Sequence, residues 1–413
     1  MRVDDHAKGF PRRVIAGLVA AAACCLAPVA GAQPAFERSP DISPALAAQI
    51  DALVAEYVPA MLPGLQLAIG KGGTVLYARG YGAADIRAGV PMSAATPVKI
   101  GSVTKQLTAA ALLKLQEQNK ISLADPLSRW IPEVRYQPDP TIGQVMQMVA
   151  GIPGAVHDAD DVLLDSVPAL LQEPPISKEK LFANLTARGL FAPPGSAYDY
   201  SNAGYILLGR VIERVSGLPL EQAFTQLLFR PAGMSASYLL GPVARPEAAR
   251  GYYRVKPGDA WLMCPDLNSG FDATGGVVST ASDMVRWNGA LRGGAVLSAP
   301  SLALMRTPAR LTDGKFAPIG MGLASLGGPG SYGAAGQTVS FAAANAGYGS
   351  GYDVILLANG SNTVGDAAYP RFVLAARIHN VLNPSAPEPV PALPPNGGVI
   401  EPAVPTELLR LCQ

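Results

Sequence analysis

Ile100-Gly101-Ser102-Val103-Thr104-Lys105-Gln106-Leu107-Thr108-Ala109-Ala110-Ala111-Leu112-Leu113 is the stretch on which the reading of this 413-residue chain turns. From Gln106 to Glu117, Leu107, Ala110, Ala111 and Leu115 recur at helical spacing, which predicts an amphipathic helix. Ser102 stands at its start, and Lys105, one turn on, shares its face. A serine hydroxyl is a weak nucleophile at neutral pH and needs a base to take its proton. A lysine stripped of water can be that base, and the N–H groups of a helix N-terminus add a positive field. The same spacing recurs at Ser177 and Lys180, where the serine follows Pro174-Pro175 and a helix cap is the simpler role. A cap role stays open for Ser102 as well.

A second element lies 98 residues downstream of Ser102, at Tyr200-Ser201-Asn202, the only Tyr-x-Asn in the chain. It follows Pro193-Pro194-Gly195 and opens a helix expected near Ala203. A phenol beside an ammonium shares its proton, so Tyr200 could return a proton to a leaving group. Asn202 could donate to a substrate carbonyl.

Working outward, Pro44 to Tyr57 reads as a helix after a linker (residues 33–46). Leu65–Gly70 and Thr74–Tyr77, joined by Gly72-Gly73, read as a β-hairpin. Tyr205–Val215, Val277–Leu291 and Arg371–Leu382 read as helices, with Ser279, Thr280 or Ser282 as caps for the second. Gly320–Leu326, Thr338–Ala344 and Tyr352–Leu357 read as strands. Strands therefore bracket the chain and helices fill its middle. The order predicts an α+β fold: one antiparallel sheet built from both chain ends, flanked by helices, with a mainly helical subdomain inserted at roughly residues 120–270. The catalytic domain would span residues 47–383, and residues 384–413 form a proline-rich tail or strap.

Residues 1–32 read as a signal peptide: Arg12-Arg13, an uncharged apolar run from Val14, then Ala30-Gly31-Ala32 before the cleavage point. An uncleaved anchor is the competing reading, although Pro28 interrupts the run. Export to the periplasm or exterior is thus expected, with no stable membrane insertion after cleavage. Removal of this segment leaves 28 basic against 29 acidic side chains and two cysteines, Cys264 and Cys412. In an oxidising compartment these could pair; two free thiols remain the alternative. The near-neutral charge gives no argument for nucleic acid.

Several ordered segments together resemble the serine β-lactamase-related family, which includes class C β-lactamases, D-alanyl-D-alanine carboxypeptidases and esterases. They are Pro63-Gly64, Ile100 to Lys105, Ile121-Ser122-Leu123-Ala124-Asp125-Pro126, Gly151-Ile152-Pro153, Tyr200 to Tyr205, Gly275 to Thr280, and Leu356 to Gly360. The resemblance implies a β-lactamase/transpeptidase-like fold and a Ser102 acyl-enzyme. It implies Lys105 and Tyr200 as a base and acid pair, without metal or cofactor. The partner implied is a small-molecule or peptide substrate, cell-wall derived in some relatives. The third motif of the family, a Lys, His or Trp two residues before a Gly, aligns with Ala334-Ala335-Gly336, so the basic or aromatic residue is missing. Gly336 keeps the small residue that lets substrate approach the backbone, and the Gln337 N–H would be the second oxyanion donor beside that of Ser102. Relatives also carry a Ser before Gly-Ile-Pro where this chain has Ala150.

These departures shift the expectation from β-lactams toward esters, amides or slow peptide cleavage. A degenerate member that binds cell-wall peptide or a partner without turnover is the rival. A histidine triad is disfavoured: after signal removal only His157 and His379 remain, and His379 is expected at a helix surface or cap. There is no Gly-x-Ser-x-Gly and no His-Glu-x-x-His.

Overall fold

The computed structural model describes residues 36–153, 187, 189–240, 247–254, 259–264, 272–362, 370–391 and 412. Among them an eight-stranded sheet organises the chain. Its strands are β1 (Phe36–Arg38), β2 (Gly64–Lys71), β3 (Thr74–Asp85), β4 (Val90–Pro91), β5 (Ala324–Ser325), β6 (Tyr332–Gln337), β7 (Ala342–Gly347) and β8 (Tyr352–Ala358). Their order is β1-β3-β2-β8-β7-β6-β5, with β4 paired to β3. The two ends of the chain meet where β8 runs antiparallel to β2, from Tyr352 opposite Lys71 to Ala358 opposite Leu65.

The central strands are covered on both faces, so their period-2 alternation sorts two apolar sets rather than apolar from polar. Leu65, Leu67 and Ile69 of β2, with Val354 and Leu356 of β8, pack on helices α1 (Pro44–Ala55) and, at the chain's other end, Pro370–Leu382. Ala68, Ile355 and Leu357 face the opposite layer. That layer holds α2 (Thr104–Glu117), α3 (Asn202–Ser216) and α4 (Ala281–Arg292); the closing helix Pro370–Leu382 is α5. α1 starts where Ser43 caps the Leu46 N–H at 3.1 Å and Pro44 fixes the first turn.

Four expectations need correction. α2 is buried from Thr104 to Leu113, not amphipathic, because α3 packs against it and its Gln106 meets Asn345 of β7. Val277–Ser279 is a strand, not the start of a helix: it pairs with Val98–Lys99 and with Tyr238–Leu239, and Thr280 then caps α4. The segment expected as strand 338–344 begins with a turn, and β7 starts only at Ala342. Within the expected linker, Phe36–Arg38 pairs with β3. The interval expected to be mainly helical, roughly residues 120–270, holds two short strands, Tyr252–Arg254 and Leu262–Met263, paired antiparallel. Cys264 and Cys412 form a disulfide packed beside Tyr253 and Val339.

Candidate active site

Ser102 lies in a 3-10 turn, Gly101–Val103, that leads straight into α2. Its hydroxyl caps neither element, so the cap role falls away. The turn is held from behind by the strand at Val277: Ile100 N–H donates to the Val277 carbonyl at 3.0 Å, and Val277 N–H donates to Thr104 Oγ1 at 3.2 Å. Gly101 has φ 52°, a left-handed conformation that costs an L-residue strain.

Lys105 reaches back along the face it shares with Ser102, and its Nζ stands 3.0 Å from Ser102 Oγ. Nζ also donates to the Thr274 carbonyl at 3.0 Å. The side chain is only 2% exposed. Two forces compete over its proton. The rings of Tyr200 and Tyr205 lie 4.8 and 5.8 Å from Nζ and favour the charged form. Desolvation opposes them and is larger, so the lysine is held below its ordinary value, with the Tyr200 hydroxyl pulling back the other way. A lysine in that state can accept the Ser102 proton.

Tyr200 precedes α3 and is fixed by its neighbours. Asp199 N–H donates to the Met148 carbonyl at 3.0 Å, and Ser201 caps α3 by accepting from Gly204 N–H at 3.0 Å. Three groups thus converge: a hydroxyl, an amine and a phenol. Ser102, Lys105 and Tyr200 line one end of a cavity of about 580 Å³. Asn202 opens α3, half-buried, and is not on that cavity's wall.

Strand β6 forms the opposite wall and passes very close to the nucleophile turn. A Cβ on Gly336 would lie 1.9 Å from the Ile100 carbonyl oxygen and 3.1 Å from Ser102 N, so only glycine fits there. A Cβ on Gly101 would lie 3.0 Å from Gln337 N. Thr338 N–H bonds the Phe341 carbonyl across the turn to β7. Antiparallel pairs alternate, so the next pair, Gln337 and Ala342, is not bonded, and the Gln337 N–H points away from β7. The N–H groups of Ser102 and Gln337 therefore lie on facing backbones. The Gln337 side chain points elsewhere and accepts from Arg371 Nη2 at 3.4 Å. Gly336→Ala is expected to push β6 off the turn and lower kcat by about 10²-fold, the cost of losing one oxyanion donor. Steady-state kinetics beside a thermal melt checks this; unchanged turnover would mean β6 is not the second wall.

Ala334 lies on the cavity wall at 8% exposure and carries no charge to hold a carboxylate. Sequence reasoning missed the Thr274 carbonyl, which anchors Lys105; its only signal was the neighbouring Gly275 to Thr280 segment. His379 is fully buried rather than at a surface, against Tyr348 with ring centroids 4.2 Å apart, and its ring nitrogen meets Ser350 Oγ at 2.8 Å. Ser177, Lys180 and His157 lie outside the described residues. Among the described residues no cluster of His, Cys, Asp or Glu could hold a metal, and no helix is long and apolar enough to cross a membrane.

An antiparallel sheet built from both chain ends, with a Ser-x-x-Lys whose lysine is buried at the mouth of a covered helix, defines a penicillin-recognising type of serine hydrolase fold. The chain belongs to the Beta-lactamase family, which matches residues 50–377. It is 28% identical over 288 residues to PbpX of Bacillus subtilis (strain 168), covering 70% of this chain and 68% of that one. It is 32% identical over 203 residues to Esterase EstB of Burkholderia gladioli, covering 46% of this chain and 50% of that one. The octameric penicillin-binding protein homologue from Pyrococcus abyssi superposes with TM-score 0.69 at 25% identity, over 83% of this chain and 79% of that one. The D-amino acid amidase from Ochrobactrum anthropi SV3 shares the fold, with TM-score 0.68 at 22% identity over 83% and 99% of the two chains. The family is one of serine hydrolases with esterase and penicillin-binding-like members.

Proposed function

We propose that this chain hydrolyses an uncharged ester or amide through an acyl-enzyme on Ser102. The observation that carries the reading is the 3.0 Å approach of a desolvated Lys105 amine to the Ser102 hydroxyl. Lys105 takes the hydroxyl proton as Oγ bonds the substrate carbonyl carbon. The carbonyl oxygen becomes an oxyanion facing the N–H groups of Ser102 and Gln337. The intermediate then collapses and the bond to the leaving group breaks. That group takes a proton from the Lys105 and Tyr200 pair. Water then attacks the ester carbonyl of the acyl-enzyme and gives a proton to the Lys105 and Tyr200 pair; the bond from the carbonyl carbon to Ser102 Oγ breaks, Oγ takes that proton, and the acid is released. Asn202 remains a candidate substrate contact that would have to turn toward the site.

Ala334 favours esters and amides over substrates with a free carboxylate, because nothing on this wall offers the cation such a group needs. The side-by-side test is a p-nitrophenyl acyl ester against a chromogenic cephalosporin. The ester should turn over and the cephalosporin should not, or only slowly; the reverse order would overturn the preference. Ala334→Lys should improve KM for a carboxylate-bearing ester roughly tenfold over its neutral methyl-ester analogue, the worth of one charge-assisted bond. An equal KM change for both esters would contradict the placement of β6.

Export rests on residues 1–32 as a signal peptide, and a Cys264–Cys412 disulfide supports an oxidising compartment.

A further inference from the structure

The cavity at Ser102 does not end beside the nucleophile. Strand β5 is two residues long and pairs with Tyr332 and Gly333, so it leaves β6 uncovered from Ala334 onward. Through that gap the cavity runs past Leu326 to Phe372 and Ala376 of α5, where Pro389 and Pro391 of the C-terminal strap also line it. Among the described residues, no charged side chain other than Lys105, at the catalytic end, lines it.

The strap is clamped in place. Asn380 of α5 grips Glu388 on both sides of its backbone, accepting from its N–H at 2.7 Å and donating to its carbonyl at 3.0 Å. Ser331 Oγ donates to the Glu388 carboxylate at 2.7 Å. Gly328 leaves room for that carboxylate, since a Cβ there would lie 1.8 Å from its second oxygen. Proline suits the wall for a physical reason. Pro389 and Pro391 have no N–H, so an apolar ligand facing them strands no backbone donor. Their fixed φ also keeps the wall stiff.

We propose that this arm holds an apolar chain of an uncharged ester substrate, and that Pro389 and Pro391, clamped by Asn380, set its length limit. The proposal rests on the Ser102 acyl-enzyme reading and names its substrate class. Its argument is continuity: the apolar arm opens directly onto the nucleophile, so a chain in it belongs to the molecule whose carbonyl Ser102 attacks.

The test uses the full chain. A fluorophosphonate probe first reports whether Ser102 is a competent nucleophile. Two ester series follow, p-nitrophenyl esters of lengthening acyl chains and acetates of lengthening alcohols. kcat/KM should rise about fourfold per methylene in one series, from the transfer free energy of each group, and then fall sharply at one length. The series that shows the rise tells whether the arm takes the acyl or the alcohol side. Asn380→Ala, which touches neither nucleophile nor base, should move that limit to longer chains and leave the shortest acetate unchanged. Pro389→Trp should move it to shorter chains. A labelled wild type with flat profiles in both series, or with limits that neither variant moves, overturns this proposal alone. Failure to label wild-type Ser102 overturns the hydrolase reading and this proposal with it.

Discussion

Ser102→Ala is expected to lower ester turnover by roughly 10⁴-fold or more, as removal of a covalent nucleophile does, while leaving the melting temperature close to wild type. The second half of that expectation follows from the geometry. The Ser102 hydroxyl caps no helix, and its partner Lys105 keeps the Thr274 carbonyl. Truncation therefore removes chemistry without removing a structural bond that the turn depends on. Kinetics and a thermal melt on the same preparation separate the two effects. Residual turnover within tenfold of wild type would show that another group attacks the substrate.

Lys105→Met should be nearly as damaging to kcat/KM, by about 10³-fold, at the upper range for a lost general base. Methionine keeps the volume and apolar stem of the lysine, so packing against Tyr200 and Tyr205 is retained and the variant should fold. The pH dependence gives the sharper readout. Burial holds the folded-state Lys105 below the ordinary lysine value. The neutral amine is the competent base, so kcat/KM should rise with pH through that lowered pKa, and Lys105→Met should flatten this limb. Stability carries the same signature. Between the lowered folded value and the higher unfolded one, the unfolded chain binds more protons on this lysine. Stability therefore rises with pH across that window, and the full cost of the buried amine is felt below it. Lys105→Met should remove this slope. An unchanged pH profile for both quantities would make Lys105 a structural residue.

The nucleophile and its base were legible because they are local. Ser102 and Lys105 are one helical turn apart, and the helix itself shows in the Leu and Ala spacing. The hairpin of β2 and β3 was legible for the same reason, through Gly72-Gly73. Tyr200 needed more than spacing, since 98 residues separate it from Ser102, and the ordered run of family segments supplied the link. What stayed hidden was set by distant partners. Val277–Ser279 is too short for its apolar run to separate strand from helix, and only pairing with Val98–Lys99 and Tyr238–Leu239 decides it. The burial of α2 depends on layers contributed from elsewhere in the chain, and so does that of His379. The Thr274 carbonyl was marked only by the neighbouring Gly275 to Thr280 segment, because a backbone acceptor has no residue-type signal of its own. The clamp of Asn380 on Glu388 was invisible in a segment whose composition suggested an extended tail or strap without naming its partner.

The central claim is that the Ser102 oxygen becomes bonded to the acyl group during turnover. It is tested most directly by quenching the wild-type protein in acid while it turns over a slow p-nitrophenyl ester, then locating the added mass by peptide mapping. The peptide carrying Ser102 should gain the acyl mass at the hydroxyl, and the Ser102→Ala protein should gain none. Steady turnover with that peptide unmodified, or the acyl mass on a different side chain, would contradict the account.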